Sequence, residues 1–454
     1  MLNDFQDIFL LGNRDTSHHA HEIVSGLFLA PRGERNLERI VEHSQDKVNE
    51  AHYQRLQHFI TDSPWNSHTV MNRAAKQTSG SFEHWQDTAY VIDEKSHLKK
   101  GKESVGVANQ YAGTVGKNEN CQVAVYAALV NGTQGSLSNC RLFLPKSWTQ
   151  DKGRCDKAGI PTDKRKYKTK QQLALEMIKE DIAQGVQFGW VSGDGFYGHG
   201  YELSQEIEAL GKDFVFDVHE DQRVYLQKPT LSLLAKRKTG RPGTRLKSDI
   251  APIEVREYVA QLSKKDFKKT FIRATTKGPL KAWIHVVKVW TWIAPSYREE
   301  GQPEPRERTL IIRKNVSKKN KKNKEKIKYT LTSIPIESAP IKRFAFMQGQ
   351  RYWIEKTFRD NSTDLGMSDY QVRGYNAWYH VQALTMVAML FVLKEKIRNK
   401  DSIPLLSYRD VRVLVQVLFS HSLTKLKLII EQMIDRHIKR QKDIDRYYAS
   451  TSAT

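Results

Sequence analysis

Over the first 75 residues, apolar side chains recur at three- and four-residue spacings. Leu37, Ile40, Val41, Val48, Leu56, Phe59 and Ile60 alternate with charged and polar positions, which is the helical period. Asp62-Ser63-Pro64-Trp65 then reads as a helix stop, a turn and a new start. Residues 1–75 are therefore expected to form an all-helical domain.

From about residue 80 the period changes. Thr88 to Ile92 is a short β-branched and aromatic run, predicting a buried strand that ends at Asp93. Cys121 to Val130 and Ser136 to Leu144 predict two more strands, with the hairpin signal Asn131-Gly132 between them. A helix from Lys170 to Gln184 follows, with Leu173, Met177, Ile178 and Ile182 on one face. Phe188 to Gly193 predicts a strand ending at Asp194, then come a helix over Glu202 to Leu210 and the strand Phe214-Val215-Phe216. The order β-β-β-α-β-α-β is that of a ribonuclease-H-like α/β fold, a mixed sheet with flanking helices. In that fold the first and fourth strands are neighbours, so their ends bring Asp93 and Asp194 together although 101 positions separate them.

Residues 220–345 interrupt this core, which spans 76–219 and resumes at 346–398. Ile284 to Trp290, Thr309 to Ile312 and Ile327 to Thr332 predict strands, so the segment reads as a β-rich insertion. The chain after 345 is helical, and 399–454 forms a basic helical C-terminal region. Ala377 to Val392 is its most apolar run, but it contains His380 and Gln382. It falls short of the roughly 20 apolar residues of a membrane span and reads as a buried core helix. The apolar stretch Ile8 to Leu11 follows Asp4 and Asp7 rather than a basic segment, unlike a signal peptide. A cytoplasmic, nucleoid-associated protein with no membrane partner is expected.

Charge narrows the partner. Lys and Arg number 73 against 51 Asp and Glu, a net +22 with a pI near 9.6. A large enzyme this basic usually neutralises a polyanion, and no clear Lys-rich amphipathic helix with an aromatic face argues for a membrane surface. Double-stranded DNA is the expected partner, and the helices of 1–75 are either a DNA-binding domain or a packing extension. Between Arg313 and Lys328 lies a lysine- and asparagine-rich block that includes Lys318, Lys319, Lys321 and Lys322. Such blocks are usually solvated loops, but beside a DNA-cutting site they become phosphate contacts. Gly240-Arg241-Pro242-Gly243 reads as a flexible turn or as an Arg241 entering a minor groove. Three cysteines, Cys121, Cys140 and Cys155, show no paired spacing and suggest neither disulfides nor zinc.

Carboxylates carry the candidate chemistry. Two-metal phosphodiester cleavage needs acidic side chains converging on one point, where they hold two Mg²⁺ ions about 4 Å apart. Asp93 and Asp194 after apolar strands, and Glu355 on a later helix, supply such a trio. Taken singly, each Asp is also an ordinary turn or N-cap residue, and Glu355 an ordinary helix acid.

Context separates these readings. Val91-Ile92-Asp93-Glu94-Lys95, continuing through Lys99 to Tyr111, closely resembles the first-aspartate block of bacterial insertion-sequence DDE transposases. Gly113 to Lys117 and Asn120 to Val125 extend the match, and Leu142 to Trp148 with Ala158 to Pro161 are similar to a linker of that family. Gly193-Asp194-Gly195-Phe196-Tyr197-Gly198 resembles the second block. Arg351-Tyr352-Trp353-Ile354-Glu355-Lys356-Thr357-Phe358, followed by Leu365-Gly366, resembles the third. The resemblance implies a ribonuclease-H-like core, metal ligation by Asp93, Asp194 and Glu355, and cut-and-paste transposition with Mg²⁺ or Mn²⁺. It also implies terminal inverted repeats and target DNA as substrates, and a homodimer on DNA. Arg351 keeps an Arg-x-x-x-Glu spacing with Glu355, one helical turn apart, and is a candidate phosphate contact. The tyrosine and lysine that similar enzymes carry around the last acid are here Gln348 and Ser362, which puts a hairpin intermediate in doubt. Trp290 and Trp292 are either buried strand residues or the base-stacking residues of such enzymes. Lys99, Lys100, Lys102 and Lys117 follow the first acid, where cations position phosphate and offset clustered negative charge. Gly193-x-Gly195 reads as a tight turn, not a nucleotide-binding loop. A catalytically silent DNA-binding descendant and a nuclease without transposition are the alternatives.

Overall fold

A computed structural model describes residues 1–44, 50–199, 201–233, 246–275, 278–292, 304–315, 327–419 and 423–452. The chain has a mixed α/β, ribonuclease-H-like fold and divides into two compact units, Met1–Gly189 with Tyr352–Thr454, and Trp190–Arg351.

The first unit begins with a 3-10 helix, Leu2–Phe9, and a two-residue hairpin pairing Leu10–Leu11 with Arg14–Asp15. This small departure from an all-helical start is made possible by Gly12, whose φ of 61° is open to glycine. Helices α1 (Ser17–Leu29), α2 (Leu37–Ser44), α3 (Glu50–Thr61) and α4 (Ser67–Gly80) follow. The stop after α3 and restart at α4 match the sequence reading, and the Asn66 side chain caps α4 by accepting from Thr69 N.

Four strands come next: β1 (Thr88–Leu98), β2 (Ala108–Ala112), β3 (Lys117–Asn131) and β4 (Gln134–Leu142). β3 is the hub, pairing antiparallel with β1, β2 and β4. The β3–β4 hairpin turns through Gly132 at φ 62° and Thr133, as Asn131-Gly132 predicts. Two findings differ from the expectation. β2 is an added strand, and β1 does not stop at Asp93 but runs five residues further, to Leu98. The longer strand survives because its polar end is satisfied inside. The buried His97 ring lies 2.8 Å from Tyr126 Oη and 3.0 Å from Ser368 Oγ. Helix α5 (Lys170–Ala183) carries a Thr169/Gln172 capping box and packs on β3 and β4.

In the second unit, β5 (Trp190–Gly193) pairs parallel with β6 (Asp213–Val218), connected through α6 (Tyr201–Ala209). β7 (Lys268–Arg273), β8 (Leu280–Thr291), β9 (Arg306–Asn315) and β10 (Ile327–Thr332) form an antiparallel meander whose last strand joins β6 antiparallel. Three of these strands match the expected β-rich insertion. β7 escapes the pattern because lysines and an exposed Phe271 break its alternation. Helix α7 (Ile341–Gln350) closes the unit.

The chain then returns to the first unit with α8 (Tyr352–Asp364), α9 (Tyr375–Arg398), α10 (Tyr408–Phe419) and α11 (Leu423–Ser452). α9 is long and apolar enough to cross a membrane, but 83% of its most apolar window is buried in the protein. It packs against α1, α3, α4 and β4. The N-terminal helices are thereby part of this unit's core: the His380 ring stacks on Trp65 at 3.7 Å, its nitrogens 2.8 and 3.0 Å from the carbonyl oxygens of Ile60 and Trp65.

Candidate active site

Asp93 sits inside β1, half-buried, opposite Tyr126 of β3. Its Oδ1 accepts from Glu94 N at 2.8 Å. Side chains alternate along a strand, and residues directly opposite on paired strands share a face. Glu94 therefore points to one side, where it pairs with Lys170 of α5 at 2.9 Å, while Asp93 and Lys95 point to the other. That other side is covered by α8. The Lys95 ammonium lies 5.5 Å from the Phe358 ring centre, and Tyr126 meets the same ring edge-on at 5.5 Å. Glu355 stands three residues before Phe358, so the two share a stripe of α8, and Glu355 is exposed. Asp93 thus lies on a strand of the first unit, and Glu355 on the helix that packs over it.

Asp194 belongs to the second unit. It is half-buried at the end of β5, where it caps a single helical turn, Gly195–Gly198, its Oδ1 accepting from Phe196 N at 3.0 Å. Close packing fixes this turn. A Cβ on Gly195 would come within 3.1 Å of the His219 ring, and one on Gly198 within 2.1 Å of Asp217 O. A cavity of about 220 Å³ opens beside it, lined by Gly195, His199, His219 and Asp221 among others. The Gly-rich motif is the tight turn that its sequence suggested.

The other candidates have diverse surroundings. Arg351 belongs to the second unit, where its Nε donates to Asp217 Oδ2 at 3.0 Å. Asp217 Oδ1 accepts from Thr330 Oγ1 at 2.7 Å, and Thr330 accepts from Gln348 Nε2 at 2.8 Å. Gln348, standing where similar enzymes carry a tyrosine, is buried and belongs to this internal chain. Lys99 turns inward. Its ammonium donates to Tyr370 O at 2.9 Å and sits 3.7 Å over the Tyr370 ring, and burial pulls it down to about 8 against the pull of Asp369. Lys100 and Lys102 are exposed in the turn after β1, and Lys117 is exposed with Glu119 at 2.7 Å. Trp290, half-buried on β8, exchanges backbone hydrogen bonds with Tyr225 at 2.8 Å, and Trp292 is half-buried just beyond the strand. Arg241, Lys318, Lys319, Lys321 and Lys322 lie outside the described residues.

Some neighbours were given no individual role in the sequence reading. Lys95, two residues from Asp93, is pulled down by burial and held up by the Asp93 charge; its strand spacing was the available signal. Asp181 of α5 is fully buried beneath β1 and β4, accepting from Tyr90 Oη at 2.7 Å and Asn139 Nδ2 at 3.0 Å. Burial pushes its carboxyl up to about 7. Gly366, in the third block, holds φ 67° and lies under Arg35, whose Cβ would be 2.6 Å from any Cβ placed there. Among the described residues, no group of three His, Cys, Asp or Glu side chains is placed to hold a metal ion.

The fold carries one carboxylate on a strand and one on a helix of the first unit, and one at a strand end of the second. A family model described as DDE superfamily endonuclease matches residues 8–279, and the chain belongs to that family. Within it, the chain is similar to a protein of Microchaete diplosiphon named "Probable transposase for insertion sequence element IS701". The two are 27% identical over 174 residues, which is 38% of this chain and 42% of that relative. The match therefore spans less than half of that relative's length.

Proposed function

We propose that this chain is a transposase that cuts DNA at the ends of its own element and joins those ends to target DNA. The observation that supports the reading is the packing of α8, the helix that carries Glu355, over the β1 face bearing Asp93. Membership of the DDE superfamily endonucleases, and the likeness to a probable insertion-sequence transposase, supply the reaction class.

Asp93, Asp194 and Glu355 are the proposed ligands of two Mg²⁺ ions, with Mn²⁺ as substitute. An all-carboxylate donor set suits these hard cations and not zinc or copper. Such ions, when bound, supply the acidity that activates water or a 3′-hydroxyl and the charge that stabilises the leaving oxygen. The chain's own residues hold the ligands. The β1–β3 ladder orients Asp93, the Phe196 amide orients Asp194, and the Asp217–Arg351 pair anchors the residue preceding α8. Lys95 offsets the negative charge of Asp93. Lys100 and Lys102 are the proposed phosphate contacts near the first acid, and terminal inverted repeats and a dimer on DNA complete the proposal.

The test is cleavage of DNA carrying the element's ends, with Mg²⁺. Asp93→Asn and Asp194→Asn should each lower nicking by several kcal/mol of transition-state stabilisation, on the order of 10³-fold, with DNA binding retained. Tight binding without cleavage by the wild type, with Mn²⁺ and paired ends also tried, would instead mark a silent DNA-binding descendant.

A further inference from the structure

We propose that Lys164, Lys166 and Lys168, with the cleft beneath them, form a docking site for the sugar–phosphate backbone of duplex DNA. The proposal rests on the reading of the chain as a DNA enzyme. Neither Asp93 nor Glu355 lines this cleft, which lies wholly within the first unit.

The charge is concentrated in one stretch. From Lys146 to Lys170 there are nine basic residues and three acidic ones, a net +6 within 25 positions. Folding sorts these charges. Arg165 is pinned to the protein body, its Nε and Nη2 donating to Ile160 O at 2.9 and 2.7 Å and its Nη1 pairing with Asp156 at 2.7 Å. Tyr167 is pinned as well, its ring edge-on to Phe143 at 6.1 Å and under the Lys146 ammonium at 5.3 Å. Lys164, Lys166 and Lys168, alternating with those two positions, line one cleft of about 310 Å³. Arg141, His68, Tyr375 and Tyr379, with Glu176 and Glu180, form the rest of its polar wall.

Local carboxylates do not neutralise the group. The cleft has two, Glu176 and Glu180, against Arg141 and the three lysines. Glu180 is taken by Arg141 and Glu176 by Lys168. Lys166 has no ion pair among the described residues, and Lys164 has only its exposed neighbour Asp163 at 3.2 Å, a contact of little energy. A row of like charges repels itself, and a ligand bearing repeated negative charge offsets that cost. The Lys146 ammonium, over the Tyr167 ring at 5.3 Å, extends the row beyond the cleft lining, so a polyanion fits better than a single small anion. DNA backbone is the polyanion that the enzyme's own reaction supplies.

The experiment is equilibrium binding of the full chain to a duplex in EDTA, where nothing is cut, across a salt series. Wild type is compared with Lys164→Gln/Lys166→Gln/Lys168→Gln, and both are checked for equal thermal unfolding, with the exposed pair Lys164→Gln/Lys166→Gln as a second variant. The slope of log affinity against log salt should flatten by roughly 2 to 3 in the triple variant, since each phosphate contact contributes about 0.9. Lys166→Glu alone should weaken binding at low salt. An unchanged slope in a folded triple variant, with wild type still binding and cutting DNA, would overturn the docking site and leave the transposase reading standing. A wild type with no salt-dependent DNA binding would overturn both.

Discussion

The surroundings of Asp93 and Asp194 hold their carboxylates by different means. Asp93 lies within eleven register pairs between β1 and β3, so backbone hydrogen bonds on both sides of it fix its height and facing. Asp194 follows a four-residue strand with four register pairs to β6, and its turn is packed so tightly that a methyl group on Gly198 would strike backbone. A ladder is indifferent to most side chains because its bonds are backbone bonds. A glycine-packed turn depends on the absence of specific atoms. The first kind of site should tolerate substitution and respond to buried charge; the second should tolerate charge changes and fail on a single carbon.

The largest effect expected from this contrast concerns Asp181 beneath the ladder. Its folded-state pKa is raised to about 7 from an ordinary 3.8, so the folded chain holds that proton more tightly than the unfolded one. The resulting stability is complete below about pH 4 and is lost as pH rises toward 7, by up to roughly 4 kcal/mol. Asp181→Asn should flatten that slope in denaturant titrations between pH 4 and 7, and an equal slope in both proteins would refute the burial argument. Next, Gly198→Ala should destabilise the 190–351 unit by about 3 kcal/mol, since the new carbon meets Asp217 O at 2.1 Å. The same variant should lose cleavage, because Asp217 also holds Arg351; a stable and active Gly198→Ala would break the comparison. The smallest effect is at Gly132 in the β3–β4 hairpin. No atom lies within 4 Å of a Cβ there, so Gly132→Ala should cost only the strained φ, about 1 kcal/mol by thermal melting.

Much of this arrangement is legible in the residues alone. The helical period of the first 75 positions, the Asn131-Gly132 turn and the apolar runs before Asp93 and Asp194 all express local rules. Legibility ends where a side chain's partner lies far along the chain. Ser96 and His97 look like the polar loop after a strand, yet His97 is satisfied by residues 29 and 271 positions away. Arg351 and Glu355 have the spacing of one helical face, but the Arg351 side chain is claimed by Asp217, 134 positions earlier. Lys99 reads as a phosphate ligand until Tyr370 appears beneath it. The departure at Gln348 is intelligible only with Thr330 in view, since a buried amide there continues a hydrogen-bond chain.

Order of synthesis follows from the way the first unit is interrupted. Its strands β1–β4 are made by Leu142 and its helix α5 by Ala183, but α8 and α9, which pack on those strands and fill the unit's core, lie beyond 162 intervening residues (190–351). At the usual ~5–20 residues per second of translation, the apolar faces awaiting α9 stay uncovered for roughly 10 to 30 s while the second unit is made. A nascent chain in that interval already carries Asp93 and Asp194 but not Glu355, so it holds an unfinished core and an unfinished acidic trio together. On the proposed reading, the capacity to cut DNA would then be acquired late and all at once, when the last quarter of the chain arrives.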